Sequence, residues 1–371
     1  MLTPQHRVLF LAPDLIGQPG GIARVCSLVC RALTEANVSF STVSLHDEDD
    51  ASQIAAVKFP EMAYSPCKGG RVNFVIRSVL TALKSRPSVV FAAHPYFSHI
   101  TYFISRLVGA RSVVMIHGTD AWYRLSWLRR WALQRVDAVI SVSRFTAEQA
   151  AQANGFALNK VTVVHNCLDP ELPPAPPLNG THPNLSLLTV ARIKEGESKG
   201  HDEVIKALPA LLNRFPTLKY SIVGDGDGRP KLESLAVKEG VAHAVNFYGT
   251  VSEQDLMRHY AEASLFIMPS RGEGFGLAFI EAMALNKPAI GGNSDAAPEV
   301  IQDNKTGYVI DPSSTTELVD RVSRLLSDEK LREQMGKSAS EHVRARFSYA
   351  SFKENLLRAV FGAPVNQAGI G

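Results

Sequence analysis

Pro269 to Pro288 reads PSRGEGFGLAFIEAMALNKP, a loop of small residues running into a short helix. The apolar run before it, Ala263 to Met268 (ASLFIM), has the length of a buried parallel strand, and Pro269 with Gly272, Gly274 and Gly276 cannot continue it. The pattern predicts a helix starting near Gly276. Its unpaired amides and positive dipole end suit a diphosphate, and Gly274 and Gly276 let the backbone approach a ligand closely. Glu273 stays in the loop, and Glu281 falls on the helix eight positions later. At a rise of about 1.5 Å per residue Glu281 lies roughly 8 Å beyond Gly276, the distance of a ribose beside the phosphate. A carboxylate there can accept hydrogen bonds from two vicinal hydroxyls. The stretch reads as a nucleotide-sugar cradle.

Outward from it, the chain alternates strands and helices. Strands are predicted at Arg7 to Ala12, Val38 to Ser44, Ser88 to Ala93, Ser112 to Ile116, Ala138 to Val142 and Val161 to His165, with helices at Gly21 to Glu35 and Val72 to Leu83. A proline-rich stretch, Pro170 to Pro183 (PELPPAPPLNGTHP), resists regular structure and marks a boundary. A second alternation follows: strands Leu185 to Val190, Leu218 to Val223 and Val245 to Tyr248, and helices Asp202 to Arg214, Lys231 to Lys238 and Ser252 to Ala261. Such alternation argues for parallel sheets covered on both faces, in an α/β chain of two Rossmann-like domains. The expected division is residues 1–170, a linker 171–183, residues 184–348, and a final helical segment 349–371.

At 371 residues the chain can bury two cores of ordinary size. No segment approaches 18 uninterrupted apolar residues, and the first residues, MLTPQHRVLFLAPD, enter a strand without a signal-peptide pattern, so a cytoplasmic location is expected. Cys26, Cys30, Cys67 and Cys167 show neither a CxxC pair nor metal-ligand spacing, which reads as core or loop thiols.

The net charge of +3 hides an asymmetry, since Lys68 to Arg144 holds twelve basic residues against Asp120 and Asp137. Within it, Arg71 to Lys84 and Ala121 to Gln134 mix apolar and basic residues at helical spacing, the latter with Trp122, Tyr123, Trp127 and Trp131. Such helices suit an anionic membrane surface, where the chain would sit peripherally at the inner face; a solvated basic face over a core helix fits the same pattern. No nucleic-acid-binding module accompanies the charge, so no nucleic acid partner is expected.

The opening stretch resembles the E-x7-E signature of the retaining GT-B glycosyltransferases, specifically family 4. Further pieces of that pattern follow in order: Gly20-Gly21, His117-Gly118, Ser141-Val142-Ser143, His165-Asn166, Arg192 with Lys199-Gly200, Gly224-Asp225-Gly226, and Pro298-Glu299-Val300-Ile301. The resemblance covers nearly the whole chain. It implies two Rossmann-like domains facing across a cleft, the acceptor on the first and the nucleotide sugar on the second, with the last helix crossing back to the first.

It also implies roles. Glu281 holds the ribose and Arg192 and Lys199 the diphosphate, while Glu273 and the amides of Phe275, Gly276 and Leu277 hold the hexose. Gly20 and Gly21 add backbone amides toward the phosphates, and His117, at the carboxyl end of a buried strand, holds a sugar hydroxyl. Two preorganised cations stabilise charge growing on the leaving phosphate. The family spacing between Arg192 and Lys199 is shorter, so Glu195, Gly196 and Glu197 read as an inserted bulge, and Cys167 stands where the family has glycine. Gly224-Asp225-Gly226-Asp227-Gly228 mimics a metal-binding Asp-x-Asp and a dinucleotide fingerprint, but the strand Val245 to Tyr248 (VNFY) lacks the acidic residue that a dinucleotide site needs.

The expected activity is retaining transfer of a hexose from a GDP- or UDP-sugar to a saccharide or lipid-linked acceptor, as in glycan or exopolysaccharide assembly. Neither a cofactor nor a catalytic metal is expected. An epimerase of the same fold, acting on its own nucleotide sugar, and a non-catalytic sugar-nucleotide-binding subunit are the alternatives.

Overall fold

The computed structural model describes residues 6–16, 20–176 and 185–362. The chain divides into two compact units: one runs to Asp169 and is completed by the segment from Tyr349, and the other is Pro170–Ser348. Residues 177–183 of the proline-rich stretch, and Gly17 to Pro19 of the first glycine loop, lie outside the described residues.

The first unit contains β1 (Arg7–Ala12), α1 (Gly21–Glu35), β2 (Ser39–Ser44), α2 (Ala51–Lys58), β3 (Ala63–Pro66) and α3 (Arg71–Ser85). It continues with β4 (Val89–Ala92), α4 (Ser98–Val108), β5 (Arg111–Ile116), α5 (Thr119–Trp122), α6 (Trp127–Leu133), β6 (Ala138–Ser141), α7 (Arg144–Asn154) and β7 (Val161–Val163). The strands form one sheet in the order β3-β2-β1-β4-β5-β6-β7. Every pairing is parallel, for example Leu9 opposite Val90 and Val114 opposite Val139. β1, β4 and β5 carry almost unbroken apolar runs, as strands buried on both faces require. Leu9, Leu11, Val90 and Val114 meet Phe74 and Phe97 in one core.

The single helix expected over Ala121 to Gln134 is instead two short pieces, α5 and α6. The cause is Asn154, fully buried at the end of α7. Its Oδ1 accepts the Leu125 amide at 2.9 Å and its Nδ2 donates to the Ala121 carbonyl at 2.8 Å. The chain hooks around that amide and restarts after Ser126, which has extended ψ of 153°.

The second unit contains β8 (Ser186–Val190), α8 (His201–Arg214), β9 (Lys219–Val223), α9 (Arg229–Lys238), β10 (Val245–Gly249), α10 (Glu253–Glu262) and β11 (Leu265–Met268). After these come α11 (Leu277–Ala284), β12 (Ala289–Gly292), α12 (Ala297–Val300), β13 (Gly307–Ile310), α13 (Thr315–Ser327) and α14 (Glu329–Arg346). Its strands form a second sheet, β10-β9-β8-β11-β12-β13, again all parallel. The order reverses beside β8 and β11, and ligands of such sheets collect at the carboxyl ends of strands at that point. Right-handed crossovers put α8 and α9 on one face and α10 and α11 on the other.

The last helix, α15 (Tyr349–Phe361), belongs to the first unit, where Lys353 bonds Glu35 at 2.9 Å and the Arg31 guanidinium lies over the Tyr349 ring. All four cysteines are buried free thiols. Among the described residues no helix is long and apolar enough to cross a membrane.

Candidate active site

In the second unit, β11 ends at Met268 and α11 begins at Leu277, one residue from the predicted start. Gly276 caps the helix with φ of 94°. A side chain there would be strained in this left-handed conformation and would drive its Cβ into the Phe279 ring. The fold itself demands this glycine. Leu277 opens the helix, and Phe275 is buried with its ring edge-on to Phe347, so the backbone of the loop is held from beneath.

The loop's acidic residue is fixed from three sides. Lys199 Nζ bonds Glu273 Oε2 at 2.9 Å and the Gly272 carbonyl at 3.3 Å. The Glu273 amide donates to Asp295 Oδ2 at 3.0 Å, and the Glu273 carbonyl accepts the Ala296 amide. Burial works against the Lys199 charge, but the Glu273 carboxylate outweighs it and holds the ammonium above its usual range. Asp295 also accepts the Ser270 hydroxyl and, at 2.9 Å, the Ala297 amide. Burial pushes its pKa up to about 6 despite those donors. Sequence reasoning misses Asp295, because nothing local in Asn293-Ser294-Asp295 distinguishes a buried anchor from a turn aspartate.

The other expected donor residues have contacts of their own. Glu281 is buried on α11 and accepts the Tyr260 hydroxyl at 2.8 Å. Arg192 leaves the end of β8 with a side chain 72% exposed and lies 3.8 Å from Glu197, in the inserted bulge. Gly224 and Gly226 have their own structural reason: a Cβ on either would strike the carbonyl of Ala191 or Ile193, where the β8 and β9 loops run against each other. Asp227 accepts the Glu195 amide at 2.8 Å, tying down the bulge. Among the described residues no three His, Cys, Asp or Glu side chains cluster as a metal site would.

In the first unit, His117 follows β5. Its Nε2 donates to the Ala93 carbonyl at 2.8 Å, which leaves Nδ1 as the ring's acceptor. Burial lowers its pKa to about 4, so the ring is neutral. The His117 and Gly118 amides both go to Asp120, at 3.1 and 2.6 Å, and burial raises that carboxyl to about 7. His94 lies 3.9 Å from Asp120, yet burial and the neighbouring His117 lower it to about 3. That contact is therefore no ion pair.

Gly20 and Gly21 open α1 and are exposed. Gly20 is extended, and a Cβ there would meet nothing within 4 Å. Neither its conformation nor its packing requires glycine. The loop leading to it is anchored by Asp47, only 1% exposed, which accepts the Leu15 amide at 2.8 Å and the Ser44 hydroxyl at 2.7 Å. Sequence reasoning misses Asp47 too, because the run His46-Asp47-Glu48-Asp49-Asp50 looks like a solvated acidic turn.

Comparison with known proteins agrees with this architecture. Residues 181–342 match the family model "Glycosyl transferases group 1", and residues 19–172 match "Glycosyltransferase Family 4". The GDP-mannose-dependent alpha-(1-6)-phosphatidylinositol monomannoside mannosyltransferase of Mycobacterium tuberculosis is 32% identical over 273 residues, 68% of this chain and 70% of that protein. The alpha-D-kanosaminyltransferase of Streptomyces kanamyceticus is 27% identical over 277 residues, covering 69% and 71% respectively. Among solved structures, Anabaena HepE in complex with UDP and glucose superposes with a TM-score of 0.79 at 18% identity, over 96% of this chain and 100% of that one. At that identity the likeness speaks for the fold. The chain belongs to the group 1, family 4 glycosyltransferases, enzymes of GT-B fold that transfer sugars from nucleotide-sugar donors.

Proposed function

We propose that the chain transfers a hexose, with retention of configuration, from a GDP- or UDP-sugar to a hydroxyl of a saccharide or lipid-linked acceptor. The observation that carries this reading is the partly buried Lys199–Glu273 pair beside the N-terminus of α11, which no side chain caps. A diphosphate entering there meets an ammonium held charged, together with the amides of Phe275, Gly276 and Leu277. Arg192 is the second phosphate cation, and its exposure leaves it free to swing from Glu197 to the ligand. Glu281 takes the ribose hydroxyls, its orientation supported by Tyr260. Glu273, braced by Asp295, accepts from hexose hydroxyls. The absence of any internal demand for glycine at Gly20 supports a backbone kept bare for a ligand, with Gly21 beside it. His117 offers Nδ1 to a sugar hydroxyl.

In this reaction the bond between the anomeric carbon and the phosphate oxygen breaks with its electrons going to the diphosphate. The acceptor hydroxyl attacks the same face, and its proton passes to the leaving phosphate. Lys199, set in place by the fold, stabilises that charge most when it is fully developed, while Arg192 binds the diphosphate throughout. The test is a thermal-shift panel of UDP-, GDP- and ADP-sugars on wild type and on Glu281→Ala. A single base should stabilise the wild-type chain and lose its effect in the variant. If no nucleotide sugar shifts the wild-type transition near millimolar concentration, the donor reading fails.

An anionic membrane surface belongs to the same reading, and so does a peripheral position on the cytoplasmic side. α3, α4 and α6 contain no acidic residue, and they expose Val72, Ile76 and Leu80, then Phe103 and Leu107, then Trp127. Basic side chains Arg71, Arg77, Arg106 and Arg130 lie on the same three helices. Ile76→Asp with Leu80→Asp should abolish sedimentation with vesicles containing phosphatidylglycerol. Equal sedimentation of wild type with neutral phosphatidylcholine vesicles would rule out the charge-dependent part.

A further inference from the structure

The loop that carries Arg192 and Lys199 has two sides. On one, Lys199 reaches Glu273. On the other, the bulge from Lys194 to Ser198 forms a wall of a cavity of about 600 Å³, completed by the first turn of α8 and by α9. A cavity of this size holds small ligands in other proteins. α8 and α9 lie on the face of the sheet opposite α11, so this cavity is across the sheet from Glu281.

Two of the residues that line it have a buried side-chain atom without a partner: Ser198 Oγ and His201 Nε2. Buried polar atoms are normally satisfied, and a cluster of unsatisfied ones at one cavity points to a missing partner. His201 is only 4% exposed, and burial lowers its pKa to about 4, so its ring is neutral and able to donate or accept. Ser198 can also do either. Glu203 is already engaged, by Arg271 and by a hydrogen bond shared with the neighbouring Asp202, which leaves Ser198 and His201 for a ligand. These are partners for hydroxyl groups.

The charge on the walls asks for something more. Six cationic side chains face four carboxylates around the cavity. Lys194 pairs with Glu197, Lys206 with Asp202 and Arg271 with Glu203, while Lys199 is engaged by Glu273 outside. Among the described residues Lys231 and Lys238 have no ion pair; seven residues apart, they share one face of α9 two turns from each other. Against them stands only the exposed Glu195 at the lip. Ile193 and Leu232 supply an apolar floor on which the carbon face of a ring can rest.

We propose that this cavity is a second small-molecule site, taking a phosphorylated polyol of hexose-phosphate size. Its phosphate meets Lys231 and Lys238, and its hydroxyls meet Ser198 and His201. Binding there stands independently of the donor reading. The consequence for catalysis rests on that reading: the cavity wall is the loop bearing Arg192 and Lys199, so occupancy sets where both phosphate cations stand and modulates transfer.

The test is calorimetric titration of the full chain with glucose 6-phosphate and mannose 6-phosphate, with GDP and UDP both present. Free glucose and inorganic phosphate serve as controls. At least one hexose phosphate should bind with the nucleotides present, at least tenfold more tightly than either control. Lys231→Glu with Lys238→Glu, at two exposed positions that the fold tolerates, should weaken it at least tenfold and leave nucleotide binding unchanged. Ser198→Val should weaken it as well. The proposal is overturned if no hexose phosphate binds the wild-type chain at about 5 mM. It is equally overturned if nucleotides compete, if the double variant binds like wild type, or if inorganic phosphate binds as tightly, which would make the site an adventitious anion patch. Nucleotide binding is read in the same experiment, so its loss would speak against the donor site alone.

Discussion

The two sheets share an all-parallel construction, yet their carboxyl edges end in opposite chemistry. At the edge of the first, His94 and His117 are held neutral by burial, and Asp120 is spent on backbone amides. At the edge of the second, Lys199 and Glu273 are a charged pair, with Asp295 holding the Glu273 backbone in place. Parallel strands supply the same convergent geometry in both. The loops decide what each edge suits, with fixed hydrogen-bond geometry for neutral hydroxyls at one and preorganised charge for a diphosphate at the other.

The largest effect that would break this contrast is at Lys199. Replacing it with alanine removes the ammonium proposed to face the leaving group and leaves Glu273 without its counter-charge. We expect kcat to fall by about 10²–10³-fold, the usual loss when one preorganised stabilising group is removed. Lys199→Arg keeps the charge and should recover part of the rate. If Lys199→Ala retains a third of the wild-type kcat, charge at the second edge is not what drives the reaction.

The parts of this contrast that can be read in the sequence are those written locally. Small residues after an apolar run locate the start of α11 to within one residue, and apolar runs between helical spacings give the central strands of both sheets but not β3, β12 or β13. The parts that cannot be read depend on residues far apart in the chain. Asn154 divides α5 from α6 through bonds spanning about thirty residues, and no periodicity within Ala121 to Gln134 announces it. Asp47 and Asp295 are buried anchors that look like surface aspartates until the loops they hold, at Leu15 and Glu273, come to them. Glycines divide in the same way: Gly276 is required by its own dihedral, whereas Gly20 has no internal requirement at all.

A smaller effect sharpens the neutral side. His117 has a folded pKa near 4, below the ordinary value of 6.5, so the unfolded chain takes up its proton first as pH falls. Its stabilising contribution is therefore present above pH 6.5 and is lost as pH falls toward 4. Between pH 6.5 and 4.5 this group alone should remove about 2 kcal/mol. Asp120 opposes it, because a carboxyl raised to about 7 is protonated first in the folded state and stabilises as pH falls. His117→Asn should thus shrink the loss of stability between those two pH values by about 2 kcal/mol, measured by denaturant titration. An unchanged difference would mean that the ring is protonated in the folded protein and that the first edge is charged after all.

The smallest effect tests whether the charged side is fully built before the donor arrives. Arg192 is 72% exposed and only loosely paired with Glu197 at 3.8 Å, so the fold gains little from it. Arg192→Ala should change the melting temperature by no more than about 1 °C, as surface substitutions generally do. The donor KM should nevertheless rise about tenfold, the worth of one charge-assisted hydrogen bond to phosphate. Lys199 is set in place by the fold, whereas the exposed Arg192 is proposed to reach the diphosphate only once the donor is bound, so a loss confined to KM at Arg192 beside a loss in kcat at Lys199 is the signature of that difference. If Arg192→Ala lowers kcat as far as Lys199→Ala does, both cations act as one preorganised unit, and the bulge that holds Glu197 against Arg192 must release it before every turnover.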